Sequence, residues 1–350
     1  MASDSLLSQA SSDIFLAREK RLNEIRRDAK EMGTVAQQGV RPSGAPFPQA
    51  SAEHGYYGLP ALKGPPWTPE VPAYLFVGGA AGAAAVMGCA ASWFTPSDHK
   101  LIRDARWLAA IGGMISPALL TSDLGMPSRF LNMLRVFKVQ SPMSVGSWTL
   151  VAFSSTAAAA AFASSFRQRG GSLRFVESAA AALSGLFGLG LATYTGVLLG
   201  ATAIPVWYEN VRVLPVHFAA SGVGAAVSIL ELKGHAANPA LNSLGIASAL
   251  TETLVGVSVE LDKKKALAPL KTGKSGWLTR LGGILSGPIP LVLRLMAGSS
   301  GSERSIRLRR IAAASTVAGS LLTRQAWVQA GRASAENLSV PLALPERSAP

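Results

Sequence analysis

The chain has 350 residues, of which 49% are hydrophobic and only 15% charged, with 35 glycines and 21 prolines. Soluble domains typically carry about 25% charged residues and disordered chains combine low hydrophobicity with high charge, so the composition excludes both. The net charge of +13 reads as loop Lys and Arg beside anionic lipid rather than as a nucleic-acid surface, and the single cysteine, Cys89, excludes an intramolecular disulfide and a cysteine-ligated metal or iron–sulfur cluster.

Residues 1–70 stand apart. Phe15, Leu22, Ile25, Ala29 and Met32 recur at helical spacing among Arg18, Lys20, Arg21, Arg26 and Arg27. This predicts an amphipathic helix on a membrane surface or a partner; a solvated helix fits equally well. Eight prolines between Gly33 and Pro72 predict an extended extramembrane strap. No signal peptide is expected, because the apolar core and small-residue cleavage site are missing.

Crossing a bilayer takes about 20 mostly apolar residues. Val71–Ser97, Val139–Phe166 and Ser178–Tyr208 contain no Asp, Glu, Lys or Arg, and Val213–Leu230 is uncharged apart from the titratable His217. Trp107–Ser122, extended by Leu101 and Ile102, and Pro239–Val259, apolar except for Glu252, make two further spans. Trp277–Ala297 is interrupted by Arg280, Pro288, Pro290 and Arg294, and Ile306–Val328 is flanked by Arg307, Arg309, Arg310 and Arg324. These last two also fit interfacial or core helices. The windows predict an all-α integral membrane protein with about eight transmembrane helices over residues 71–330 and a disordered tail over 331–350. Both termini then share one side. That side carries more Lys and Arg, chiefly in the first 70 residues, which places the termini in the cytoplasm.

With odd spans leaving the N-terminal side and even spans returning, Glu70 and Tyr74 start span one and Asp123 ends span two. The loop Leu124–Gln140 lies on the same side, and His217 begins span five. Glu70, Asp123, Arg129, Arg135, Lys138 and His217 therefore crowd one face. Ionisable groups near a membrane interior are costly and tend to be functional, although helix ends also suit ordinary interfacial residues. Glu252 lies within span six, towards the same face. It reads either as a proton relay or as a protonated acid bonded to a neighbouring helix. Gly78-x-x-x-Gly82 and Gly196-x-x-x-Gly200 read as close helix packing.

The stretch Pro117–Lys138, running through Asp123-Leu124-Gly125-Met126-Pro127, Arg129 and Asn132, is followed by Ser141-Pro142-Met143-Ser144-Val145-Gly146-Ser147-Trp148. Together they closely resemble the signature loop of the NrfD / polysulfide reductase membrane-subunit family. Pro72–Gly82, Tyr194–Trp207 and Leu214–Gly222 resemble that family's first, fourth and fifth helices. The family usually reads Asp-Leu-Gly-Arg-Pro, and here Met126 replaces the arginine.

The resemblance implies two packed four-helix bundles and a quinone-handling subunit, using menaquinone or ubiquinone, in a bacterial inner membrane. It also implies an iron–sulfur, ferredoxin-like partner wired to a molybdopterin catalytic subunit or a cytochrome system. Glu70, Tyr74, Asp123, Arg129, Asn132, Tyr194 and His217 are the candidate quinone-pocket residues, with Glu252 as the candidate relay. Quinol chemistry needs titratable groups at the pocket. Of the four histidines, His54, His99, His217 and His235, only His217 falls inside a span, so no haem is expected in the chain. Two rival readings are a purely structural anchor and a secondary transporter. Broken helices with midplane sites would favour the transporter, whereas the charged groups here gather at one face.

Overall fold

A computed structural model describes residues 20, 23, 24, 27, 62–123, 128–166, 171–298 and 300–336. The amphipathic helix expected over Phe15–Met32 and the strap before residue 62 lie outside the described residues, except that Lys20, Asn23, Glu24 and Arg27 are helical and exposed. The chain divides into two units at Leu59 and Pro60, and the second unit is considered below.

All regular elements among the described residues are helical. The first half holds α1 (Glu70–Phe94), α2 (His99–Asp123), the short α3 (Arg129–Met133), α4 (Pro142–Ser165) and α5 (Gly171–Gly200). The second holds the short α6 (Pro205–Tyr208), α7 (Val213–Leu230), α8 (Pro239–Leu261), α9 (Gly273–Ser286), α10 (Pro288–Ala297) and α11 (Glu303–Glu336). Among the described residues, six segments are long and apolar enough to cross a membrane: α1, α4, α5, α7 with its terminal turn, α8, and α9 with α10. Helices α2 and α11 are as long but carry charges along one end, Lys100, Arg103, Asp104 and Arg106 in α2 and Arg304, Arg307, Arg309 and Arg310 in α11.

The breaks follow the sequence chemistry. The fourth window, expected to run unbroken to Tyr208, ends at Gly200, and α6 begins afresh at Pro205. A proline at the first helical position loses no intrahelical bond, and the residue before it prefers extended backbone. Ile204 accordingly has ψ 121°. The seventh window splits at Gly287, ahead of Pro288, for the same reason. Helix α2 starts at His99, two residues before the expected extension at Leu101, and the charges of its first turns are paired. Arg106 bonds Glu177, and Asp104 meets His235 at 2.9 Å and Lys233 at 3.1 Å. The tail expected over 331–350 is helical as far as Glu336. Gly331 lies flat against Trp207, and the Ser334 hydroxyl accepts a 3.2 Å hydrogen bond from the Val206 N–H, so this turn is buried.

Helices α1, α2, α4 and α5 pack as one four-helix group, and α7, α8, α9–α10 and α11 as another. They meet where α1 and α5 reach α7, and where α1 reaches α11. Lipid supplies no hydrophobic drive between helices, so small residues that let backbones approach take its place. A Cβ on Gly82 would lie 2.5 Å from the Gly188 carbonyl of α5, and one on Gly222 of α7 would lie 2.8 Å from the Gly79 carbonyl of α1. At the end of α7 the helix widens into a π-helical turn, Glu231–His235, in which Gly234 takes φ 128°. This turn directs Glu231 into the second bundle, where both its oxygens meet Arg294 at 2.7 and 2.8 Å.

Gly82→Leu should destabilise the protein by about 1–3 kcal/mol or more through overpacking, while Gly256→Ala, which faces open space, should not lower its thermal midpoint in detergent. Arg294→Met leaves the Glu231 carboxylate buried and unpaired, and should cost about 3–5 kcal/mol. The double variant Glu231→Gln/Arg294→Met should recover most of that loss in the same unfolding measurement.

Candidate functional site

The second bundle buries a polar junction on the side towards the Asp123 face. Helix α7 begins at Val213 and presents His217 one turn inside. Helix α8 contributes Glu252, α9 Ser286, and α11 Arg324 and Trp327, all nearly or fully buried. His217 Nδ1 lies 3.6 Å from Glu252 Oε1, beyond direct hydrogen-bond range. Glu252 Oε2 accepts a 2.9 Å bond from the Ser286 hydroxyl, which leaves Oε1 turned to the histidine. Arg324 Nη2 donates to the Phe218 carbonyl at 2.9 Å, and its guanidinium sits 3.8 Å from the Phe218 ring centroid, a cation–π contact.

His217 Nδ1, Glu252 Oε1, and Arg324 Nε and Nη1 are buried atoms with no hydrogen-bond partner among the described residues. Buried polar groups in folded proteins almost always have a partner, and leaving one unpaired costs about 1–3 kcal/mol. Several such atoms on three interacting side chains therefore mark a place for bridging polar atoms.

Tryptophans link this junction to the lead-in of α1. Trp207 of α6 is fully buried, and its indole N–H donates to the Trp327 carbonyl at 2.9 Å. Its ring stacks on Trp67 at 5.2 Å and 15°. The Trp327 ring in turn lies 6.0 Å from the His217 ring.

The structure sorts the sequence candidates into groups. His217 and Glu252 come together. Tyr74 is buried in the same packed core as Trp207, Leu214, Phe218 and Trp327. Next to it the Ser116 hydroxyl is buried without a hydrogen-bond partner among the described residues. Glu70 opens α1; Thr68 bonds its carboxylate, and its Oε2 is buried without a hydrogen-bond partner among the described residues. Asp123 closes α2 and accepts from Thr68, through the backbone N–H at 2.8 Å and also the hydroxyl, so it holds the lead-in of α1 in place. The Tyr194 hydroxyl donates to the Pro142 carbonyl at 2.6 Å and its ring covers Gly146. That proton ties α5 to α4 and is not free for a quinone oxygen. Asn132 is exposed on α3, and Arg129 opens that helix.

Sequence reasoning missed Ser286, Trp327 and above all Arg324, which it treated as a flank of a weak window. The available signal was a lone arginine within the apolar run Ile311–Val328. The expectation that charged groups gather at one face is also corrected. At the other end, Arg106 pairs with Glu177, Asp104 with His235, and Glu231 with Arg294. Buried Arg309 caps the Ala236 and Gly298 carbonyls there, at 2.8 and 2.6 Å. These charges sit at helix ends in mutually neutralising pairs, which apolar windows do not reveal.

The family described as polysulphide reductase, NrfD, matches residues 62–331, most of the chain and both bundles. The chain belongs to the NrfD family. Membership makes it a multi-pass membrane subunit of a redox complex, and NrfD proteins generally partner with iron–sulfur and catalytic subunits. No curated protein matches it. The family's signature loop projects at the Asp123 face with exposed Leu131, Val136, Phe137 and Val139 beside exposed Arg135 and Lys138.

Asp123→Ala should release the lead-in of α1. Hydrogen–deuterium exchange is expected to quicken over residues 62–68 while the α1 interior stays protected. Unchanged exchange would remove the latch assigned to Asp123.

Proposed function

We propose that this chain is the quinone-reactive membrane subunit of its complex, exchanging electrons between quinol or quinone and an iron–sulfur subunit docked on the Asp123 face. The observation that supports this reading most is the His217–Glu252–Arg324 junction, with its unpartnered buried atoms set inside the face that carries the signature loop.

A bound quinone would supply a two-electron, two-proton couple there, and the residues present suit it. His217 Nδ1 and Glu252 Oε1 face one another and can hold and hand on a proton through one bridging atom. Ser286 fixes the second carboxylate oxygen, so the exchanging oxygen keeps its direction. Arg324, held beside His217 through the Phe218 carbonyl and ring, brings a permanent positive charge to the junction. Tyr74 and Glu70 continue the line of polar groups along α1 towards the Asp123 face. Exposed apolar side chains beside Arg135 and Lys138 give the signature loop the mixed character of a docking surface. With the termini on the cytoplasmic side of a bacterial inner membrane, the partner would also lie there.

Glu252→Gln and His217→Gln, introduced separately into the assembled complex, should each lower quinol-dependent turnover by about 10²–10⁴-fold. Membrane insertion and retention of the partner subunits should be unaffected. Wild-type turnover in an assembled Glu252→Gln complex would remove the relay from the mechanism.

A further inference from the structure

At the end of the first bundle away from Asp123, a pocket of about 450 Å³ opens between α2, α4 and α5, lined by His99, Lys100, Arg103, Arg106, Ser164 and Glu177. We propose that it binds the phosphate headgroup of an anionic phospholipid, which remains with the protein as a bound lipid.

Charge is the first argument. Lys100, Arg103 and Arg106 bring three permanent cations against the single carboxylate of Glu177. The neighbouring acid, Asp104, does not redress the balance. It is already held by His235 at 2.9 Å and Lys233 at 3.1 Å, which leaves Arg103 at 3.8 Å. The pocket therefore attracts an anion.

The second argument is an unsatisfied donor. Arg106 is 6% exposed and bonds Glu177 through Nη1, but its Nε is buried with no partner among the described residues. An arginine fork suits phosphate oxygens in this way. Buried Arg106 thus forms the floor of the pocket, with exposed Lys100 and Arg103 at its rim.

Depth and surroundings favour a lipid over a free phosphate. Exposed Trp93 and Phe94 end α1, exposed Phe162 lies near the end of α4, and exposed Phe175 lies near the start of α5, all at this end of the bundle. Tryptophan marks the level of lipid headgroups, so Trp93 sets that level here, and the phenylalanines give this end an apolar rim. A cleft of about 660 Å³ between the same ends of α4 and α5 is lined by Phe162, Ala163, Phe166, Leu173 and Val176. Ala163 and Val176 are chain neighbours of Ser164 and Glu177 of the basic pocket, so an apolar cleft able to take an acyl chain and the charged seat for a headgroup occupy the same ends of α4 and α5.

The test uses the full-length protein, purified in detergent with the subunits that accompany it. It is titrated with phosphatidylglycerol or phosphatidylcholine, and bound lipid is counted by native mass spectrometry. Each Lys or Arg beside an anionic headgroup strengthens binding by about fivefold. Wild type should therefore hold one phosphatidylglycerol roughly tenfold or more tightly than phosphatidylcholine. Lys100→Gln/Arg103→Gln changes two exposed side chains, and should abolish that preference without moving the thermal midpoint. Lys100→Gln alone should weaken it about fivefold. Excess inorganic phosphate should leave the lipid bound. Equal affinity for the two lipids in wild type, or an undiminished preference in the double variant, would overturn the proposal. Displacement of the lipid by inorganic phosphate alone would also overturn it, by assigning the pocket to a free anion.

Discussion

A guanidinium inside a helix bundle in lipid must be neutralised and its donors placed, at a cost of roughly 2.5–3.5 kcal/mol when it sits unaided near the bilayer centre. Arg324 is the group that imposes this constraint here. It is 1% exposed, and it lies between α11, the Phe218 turn of α7, and α1. The two bundles meet around it because Gly79 and Gly222 carry no side chains at the point of approach. Its Nη2 is held by the Phe218 carbonyl and its plane lies over the Phe218 ring, next to His217, which faces Glu252. The packing of the bundles and the electrostatics of the junction are therefore one arrangement.

That arrangement connects outward through aromatic side chains rather than through a chain of ion pairs. Trp327 touches the histidine, Trp207 holds the Trp327 backbone, and Trp67 stacks on Trp207 just before α1 begins. Asp123 secures the adjoining residue, Thr68. The lead-in of α1, the end of α2, α6 and α11 are thus fastened together at the face where the signature loop emerges. A partner docked on that loop would bear on the same elements that support the junction. This gives the proposed electron and proton steps a shared mechanical frame without placing any redox group inside the chain.

Much of this was legible in the sequence. Charge-free windows located the long helices, and Asp123 through Trp148 pointed to the NrfD family, which the match over residues 62–331 bears out. His217 and Glu252 were identifiable because an ionisable residue in an apolar run is conspicuous. Arg324 carried the same signal, a lone charge within Ile311–Val328, but was passed over among the arginines that open its helix. The role of Tyr194 was also hidden. Its hydroxyl meets a backbone carbonyl 52 residues away, a partner with no side-chain signature. The paired charges at the opposite end were misjudged for a related reason. Neutralisation of Arg106 by Glu177, or of Arg294 by Glu231, arises only when separate helices are brought side by side.

The central claim is that Glu252 changes its protonation or hydrogen bonding when quinone is reduced at the junction. Infrared difference spectroscopy on the intact complex, recorded as its quinone is reduced, measures this directly. A carboxyl C=O band should change on reduction in the wild type and be missing from the Glu252→Gln complex. A carboxyl region that is identical in the two complexes would contradict the claim.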